Sequence, residues 1–228
     1  MEKRLARRKA LIAGATGLVG ECLLRRLLAH PDYAVVEVLL RRNLAMSHPK
    51  LVQHVVDFEQ LDSGAVAKTD DLFCCLGTTI GKAGSQSAFR RVDHDYPVAL
   101  AQLAKAEGVQ QFLLVSALGA DAGSGVFYSR VKGETERDIS AIGLPKAIFL
   151  RPSLLLGKRS ERRAGERAAM LAGRLVAPLL FGRLRKYRPI DADDVAAAMV
   201  FAATHELASG PIESDQIARL AKRAHETS

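Results

Sequence analysis

Tyr128 and Lys132 stand four residues apart in the run Tyr128-Ser129-Arg130-Val131-Lys132, at the start of a stretch with helical periodicity. Residues i and i+4 share one helix face, so a phenol and an ammonium can enter the same cleft. A free phenol has a pKa near 10, about three units too high for efficient proton exchange at neutral pH. A neighbouring ammonium, or an oxidised nicotinamide, favours the phenolate and lowers that value. Ser116 closes a short apolar run 12 residues before the tyrosine, where a hydroxyl can hold a carbonyl oxygen. Each could also be an ordinary surface or strand-end residue. Taken together they form a proton donor with its activator and a carbonyl clamp, the set that hydride transfer to a carbonyl needs.

Such a transfer requires a hydride carrier, and the chain offers a place for one. Gly14-Ala15-Thr16-Gly17-Leu18-Val19-Gly20 follows the apolar run Lys9 to Ala13 and opens a helical pattern. A strand-to-helix context is what makes a glycine motif credible. Gly14 permits the tight turn, Gly17 leaves backbone amides open to a pyrophosphate, and Gly20 allows close packing of helix on strand. Thr16 in the turn, and Leu18 and Val19 at the helix start, complete the candidate phosphate contacts, where amide donors and partial positive charge converge. The spacing is G-x-x-G-x-x-G, one residue wider at its start than the common dehydrogenase fingerprint. An NAD site places a carboxylate at the end of the next strand; here that run ends Leu40-Arg41-Arg42, and Glu37 lies three residues too early. Two guanidinium forks suit a 2′-phosphate, so the expected cofactor is NADP(H); the alternative is a solvated arginine pair. Asp57 and Phe58, after the third strand, are expected near the adenine. Leu76, Gly77 and Thr78, after the fourth, are expected along the cofactor.

The elements that must position these groups are legible as an alternation. Strands are expected over Lys9 to Ala13, Ala34 to Leu40, Leu51 to Val56, Asp71 to Leu76, Phe112 to Ser116 and Ala147 to Leu150. Helices are expected over Leu18 to Leu28, Phe89 to Ala106 (with Pro97 near a bend), Tyr128 to Ile142, Asp191 to Thr204 and, more weakly, 214 to 225. Alternating strands and helices predict an α/β fold, a mostly parallel doubly wound sheet covered on both faces. The whole chain, 1–228, reads as one dinucleotide-binding domain, with 151–228 supplying most of a small substrate lobe packed on the sheet.

The bulk numbers are those of a globular protein: 228 residues, 48% apolar and 25% charged. A chain of that length can bury its own core without metals or disulfides. No apolar run reaches the roughly 18 residues of a membrane span. The basic start, Met1 to Lys9, runs into glycines rather than an apolar signal core, so cytosol is the expected compartment and no membrane partner is expected. Three cysteines, with no His or Asp at ligand spacing, read as reduced core thiols and give no metal site. The formal charge of +8 raises nucleic acid as a partner, yet aromatics are 5% and Trp is absent. Stacking residues do not interleave the basic runs, so an anionic cofactor or substrate is the better use of that charge. His94 reads as helix surface, and Asp191, Asp193 and Asp194 as the acidic first turn of a helix.

With these residues in view, the chain resembles an extended or atypical short-chain dehydrogenase/reductase of the Tat-interacting-protein oxidoreductase-like group. The stretches that carry the resemblance are Cys74-Cys75-Leu76-Gly77-Thr78-Thr79, Gly81-Lys82-Ala83-Gly84, Val92-Asp93-His94-Asp95-Tyr96 and Val131-Lys132-Gly133-Glu134. It implies a Rossmann fold, NADPH binding, Tyr128 as proton donor or acceptor and Lys132 on the nicotinamide ribose. It also implies that Arg163 reaches cofactor or substrate. Two positions depart from the pattern: Ala117 follows Ser116 where relatives often carry a second hydroxyl, and Asp93 stands where extended members tend to carry Asn. The expectation is an NADPH-dependent oxidoreductase acting on a small carbonyl or alcohol, as a monomer or homodimer. The competing readings are an epimerase or dehydratase that retains its cofactor, and an NADPH-binding regulator that acts through a partner.

Overall fold

A computed structural model of the chain describes residues 8–157 and 182–226. In chain order the strands are β1 (Arg8–Ala13), β2 (Tyr33–Leu40), β3 (Leu51–Val55), β4 (Asp71–Cys74), β5 (Gln111–Val115), β6 (Lys146–Arg151), the short β7 (Leu155–Leu156) and β8 (Ile190–Asp191), and β9 (Gly210–Glu213). The helices are α1 (Leu18–Ala29), α2 (Ile80–Ala83), α3 (Gln86–Arg90), α4 (Tyr96–Ala106), α5 (Phe127–Ile142), α6 (Ala192–Thr204) and α7 (Ser214–Glu226). Seven strands form one parallel sheet in the order β3-β2-β1-β4-β5-β6-β9, and β7 pairs with β8 apart from it.

Successive strand residues point to opposite faces, and both faces are covered. Ala10 and Ile12 of β1 join the layer of Leu23, Leu27, Val195 and Met199, from α1 and α6. Leu11 and Ala13 join Leu100, Ala104 and Ile139, from α4 and α5. That two-sided burial is why these strands read as unbroken apolar runs rather than alternating ones. In α1 the buried Leu23, Leu24, Leu27 and Leu28 mark the inner face. On the outer side Arg25 pairs with Glu21 at 2.6 Å, while Arg26 forks onto Asp193 at 3.0 and 2.6 Å and ties α1 to α6.

Two features of the sheet differ from the sequence expectation. β9, which pairs in parallel with β6 from Ile148↔Gly210 to Arg151↔Glu213, was not anticipated. Its four residues include Pro211, which lacks a ladder donor and is tolerated at a sheet edge. Consequently β9 extends the sheet, and α6 and α7 pack against its layered body. The fourth strand also stops at Cys74, two residues early. Cys75 N still donates to Ala13 O at 2.8 Å, but β1 turns away at Gly14 and leaves no partner for a longer ladder.

At the N-terminal end of the central strands a buried carboxylate ties several of them together. Asp71 accepts from Tyr33 Oη at 2.7 Å and from Gln111 Nε2 at 3.0 Å, and pairs with the Arg8 guanidinium. Burial raises its pKa to about 6, with Arg8 and Tyr33 opposing the rise.

Candidate functional site

Strand order reverses between β1 and β4, and ligands of open parallel sheets bind at that reversal. The glycine turn sits there. Gly14 has φ +90°, and a Cβ on it would lie 2.6 Å from both the carbonyl carbon and oxygen of Cys75. Backbone therefore meets backbone, and only glycine fits. Gly17 N donates to Gly14 O at 3.0 Å, and the first bond of α1 runs from Glu21 N to Gly17 O at 2.9 Å. The amides of Leu18, Val19 and Gly20 thus have no acceptor within the helix, and Gly17 caps it with no side-chain bond. Gly20 is needed for a contact slightly different from the expected one: its Cβ would overlap the Gly14 carbonyl, so helix packs on turn. Thr16 is exposed, whereas the Val19 side chain belongs to the core.

Of the residues expected from the sequence to line a cofactor, Arg41 and Arg42 are both exposed immediately beyond β2. Glu37, set aside as too early in the strand, pairs with Lys9 at 2.9 Å and His54 at 3.3 Å. Asp57 is exposed, and its Oδ1 accepts from Glu59 N at 2.9 Å. Phe58 packs on the Tyr96 ring with centroids 5.6 Å apart, while Tyr96 Oη donates to Glu59 at 2.6 Å. Beyond β4, Leu76 is half-buried, Gly77 exposed and Thr78 half-buried. Arg163, and the apolar stretch Met170 to Leu180 whose sequence spacing predicts a helix, lie outside the described residues.

Tyr128 and Lys132 occupy the first two turns of α5, as their spacing requires. The tyrosine is 37% exposed, with its ring 5.6 Å from that of Phe89. The lysine is buried, with Nζ 2.7 Å from Oδ1 of the equally buried Asp93. Burial by itself would lower the lysine pKa; the Asp93 carboxylate, with a smaller contribution from Tyr128, turns the net shift upward. Lys132 is therefore an ammonium at neutral pH. Beside it the Cys74 thiol is pushed up to about 12 by burial and stays neutral.

The helix expected over Phe89 to Ala106 contains a π-helical turn at Arg91–Asp95, where Tyr96 N bonds to Arg91 O. Pro97 supplies the reason. It has no N–H for the carbonyl four residues back, and its ring crowds that carbonyl. That residue is Asp93, and its freed carbonyl lies 2.9 Å from Thr135 Oγ1 of α5, which shares its one proton between it and Val131 O at 2.7 Å. A side chain on the widened turn is thereby held against α5. Asp93 also accepts from Thr78 N at 2.9 Å through Oδ2, joining the chain after β4 to the lysine. In the sequence, position 93 lies in the matching stretch Val92-Asp93-His94-Asp95-Tyr96 and also departs from Asn; Pro97, four residues on, is the signal that its backbone is special.

Ser116 is placed differently from the expectation. Its hydroxyl is buried and donates to Glu136. A hydroxyl has one proton to donate, so in this arrangement it cannot also hold a carbonyl oxygen. Glu136 in turn takes the Arg151 guanidinium at 2.6 Å, and Arg151 reaches Glu213 at 3.2 Å. Ser116 is thus the inner end of a charged chain that links β5, α5, β6 and β9. His94 is also not surface: it is buried with Nδ1 2.7 Å from Asp95 and Nε2 2.9 Å from Asp138. Neither network has a spacing signature, because each joins residues from separate elements.

A parallel sheet with a glycine turn at its reversal, and a Tyr/Lys pair on the helix after β5, defines an α/β protein of the Rossmann type. The family model described as NAD(P)H-binding matches residues 14–206, and the chain belongs to that family. It is 40% identical over 168 residues to protein HTATIP2 of Rattus norvegicus, covering 72% of this chain and 69% of that one. Over 221 residues it is 34% identical to the mitochondrial protein FMP52 of Eremothecium gossypii, covering 94% of this chain and 97% of that one. Among solved structures, a UDP-N-acetylglucosamine 4-epimerase from Methanobrevibacter ruminantium superposes with TM-score 0.67 at 15% identity, covering 90% of this chain and 76% of that one. A uronate dehydrogenase from Agrobacterium tumefaciens gives 0.65 at 14%, covering 91% and 76%. At such identities these two speak for the fold alone. No described helix is long and apolar enough to cross a membrane, and no group of metal-binding side chains occurs among the described residues.

Proposed function

We propose that the protein is an NADPH-dependent oxidoreductase that interconverts a small carbonyl and its alcohol, with Tyr128 as general acid and base. The observation that carries the reading is the Tyr128/Lys132 pair: a half-exposed phenol one helical turn from a buried ammonium. When bound, the nicotinamide would supply or accept the hydride. Amides of Leu18, Val19 and Gly20 would hold the pyrophosphate, and the exposed Arg41 and Arg42 the 2′-phosphate. The side-chain-free surface at Gly77 leaves room for a flat ring system to pass. Tyr128 donates its proton to the substrate oxygen in reduction and removes it in oxidation. Lys132 stabilises the phenolate left behind. Ser116 supports the site through Glu136 rather than touching substrate.

One observation favours a second reading. With the Ser116 hydroxyl given to Glu136, and Ala117 beside it, no hydroxyl at the end of β5 clamps a carbonyl, as suits an NADPH-responsive regulator. The deciding experiment is NADPH titration of the purified protein, followed by a screen of small aldehydes and ketones. NADPH consumption that collapses in Tyr128→Phe supports the enzyme. Tight NADPH binding with no turnover, and partner binding that ignores Tyr128→Phe, supports the regulator. In the enzyme reading the partner is a small molecule, the chain acts as monomer or homodimer, and the compartment is the cytosol. The name of the FMP52 relative carries the word mitochondrial, so cell fractionation is the matching test of compartment.

A further inference from the structure

We propose that the cleft between the 3₁₀ turn Gly182–Tyr187 and the first turns of α6 and α7 is a second binding site, one that takes a small phosphate-bearing anion. The assignment stands apart from the Tyr128/Lys132 reading, because the cleft shares no residue with the glycine turn or with α5. Its volume is about 420 Å³, within the range of small-molecule sites. Arg185 and Arg188 line it from one side of the chain, and Arg219 and Lys222 from α7, so four cations from two segments meet in one cleft. Bonds between distant segments fix its walls. Ser214, 2% exposed, donates to Ser153 Oγ at 3.1 Å, and Ser153 donates in turn to Arg188 O. Ile190 N donates to Leu154 O at 3.0 Å. The chain that carries Arg185 and Arg188 is thereby held beside the start of α7.

Three carboxylates also line the cleft, Asp191 and Asp194 from the start of α6 and Asp215 from α7. Two of them are committed elsewhere. Asp215 Oδ2 takes Arg219 Nη1 at 2.8 Å, and Asp194 Oδ1 lies 3.3 Å from His225 Nε2. A guanidinium has five N–H donors, so Arg219 keeps others for a ligand. The Arg185 guanidinium has no hydrogen bond or ion pair among the described residues, and Lys222 is 3.8 Å from Glu226. Asp191, which makes no side-chain bond to the helix it precedes, is left to oppose an anion. The balance is positive. It is raised further by the amide ends of α6 and α7, each 13 residues long, which face the same cleft. Forked guanidiniums and an ammonium converging from two segments suit the tetrahedral oxygens of a phosphate.

The test needs no turnover. Inorganic pyrophosphate is titrated calorimetrically into the full-length protein carrying Gly17→Val, so that the glycine turn does not compete. If that variant does not fold, the same titrations are made on the unmodified protein with NADPH in excess. At about 0.15 M salt, where loose surface attraction is largely screened, one pyrophosphate should bind with a Kd below about 1 mM. Adding Arg185→Ala with Lys222→Ala should weaken it about tenfold or more. Lys105→Ala with Arg137→Ala removes the same charge from the α4 and α5 layer and should leave the Kd within about twofold. All four side chains are exposed, so neither pair of changes should disturb the fold. Asp191→Asn, which removes the opposing carboxylate, should tighten binding by about threefold or more. No binding up to about 10 mM overturns the proposal. So does an undiminished affinity after Arg185→Ala with Lys222→Ala, or an equal loss in the Lys105→Ala, Arg137→Ala control.

Discussion

Consider a side chain placed on each of the three motif glycines in turn. At Gly17 the backbone lies at φ −80° and ψ 169°, a region open to any residue. A Cβ there would meet Gly14 O at 3.3 Å and Cys75 O at 3.8 Å, a tight but relaxable contact. Gly17→Val should therefore cost no more than about 1–2 kcal/mol, a fall in Tm of about 2–8 °C for a chain of this size. Gly14→Ala is another matter, with φ +90° and backbone atoms 2.6 Å from the new carbon; Gly20→Ala would overlap the Gly14 carbonyl. Both should lose about 3 kcal/mol or more. For the cofactor the order reverses. The valine methyls of Gly17→Val would crowd the amides of Leu18 to Gly20, and losing two or three charge-assisted bonds of about 1.5–3 kcal/mol each weakens binding by about 10²-fold or more. The assay pairs thermal unfolding with NADPH titration by fluorescence. Undiminished NADPH affinity in Gly17→Val would refute the placement of the pyrophosphate. Equal stability of Gly14→Ala and Gly17→Val would refute the geometry of the turn.

Replacing both Arg41 and Arg42 by Ala should narrow the preference for NADPH over NADH by more than about tenfold, or about 1.4 kcal/mol. Titrations of both cofactors at two salt concentrations test this, and equal affinities in the unmodified protein would dispose of the idea. Tyr128→Phe should lower turnover by about 10² to 10⁴ with cofactor affinity nearly unchanged; full activity in that variant would remove the mechanism. Asp71 gives a prediction about stability. Its pKa rises on folding from 3.8 to about 6, chiefly through burial, so the stability it contributes is complete below pH 3.8 and is lost as pH climbs through 6. Relative to Asp71→Asn, the unmodified protein should gain up to about 3 kcal/mol between pH 7 and pH 4 in urea unfolding. A difference that does not change with pH would contradict the burial of that carboxylate.

The sequence by itself determined whatever depends on near neighbours along the chain. Apolar or β-branched runs such as Ala34 to Leu40 marked six of the strands, most clearly those buried on both faces, whereas β3 at the edge has no buried residue. Gly14, Gly17 and Gly20 announced the tight turn between β1 and α1, since local backbone geometry is set within a few residues. The four-residue step from Tyr128 to Lys132 placed both on one face of α5. Other features were decided only when distant segments met. β9 exists because Gly210–Glu213 finds the open edge of β6, a pairing that four residues with a proline do not declare. Ser116 was legible as a strand-end hydroxyl, but Glu136 claims its proton from a helix 20 residues away. The carboxylate of Asp93 meets Lys132 only because α4 and α5 lie side by side and Pro97 opens the turn between them. Electrostatics acts through space and burial, neither of which is written along the chain, so the partners of the charged groups had to wait for the tertiary structure.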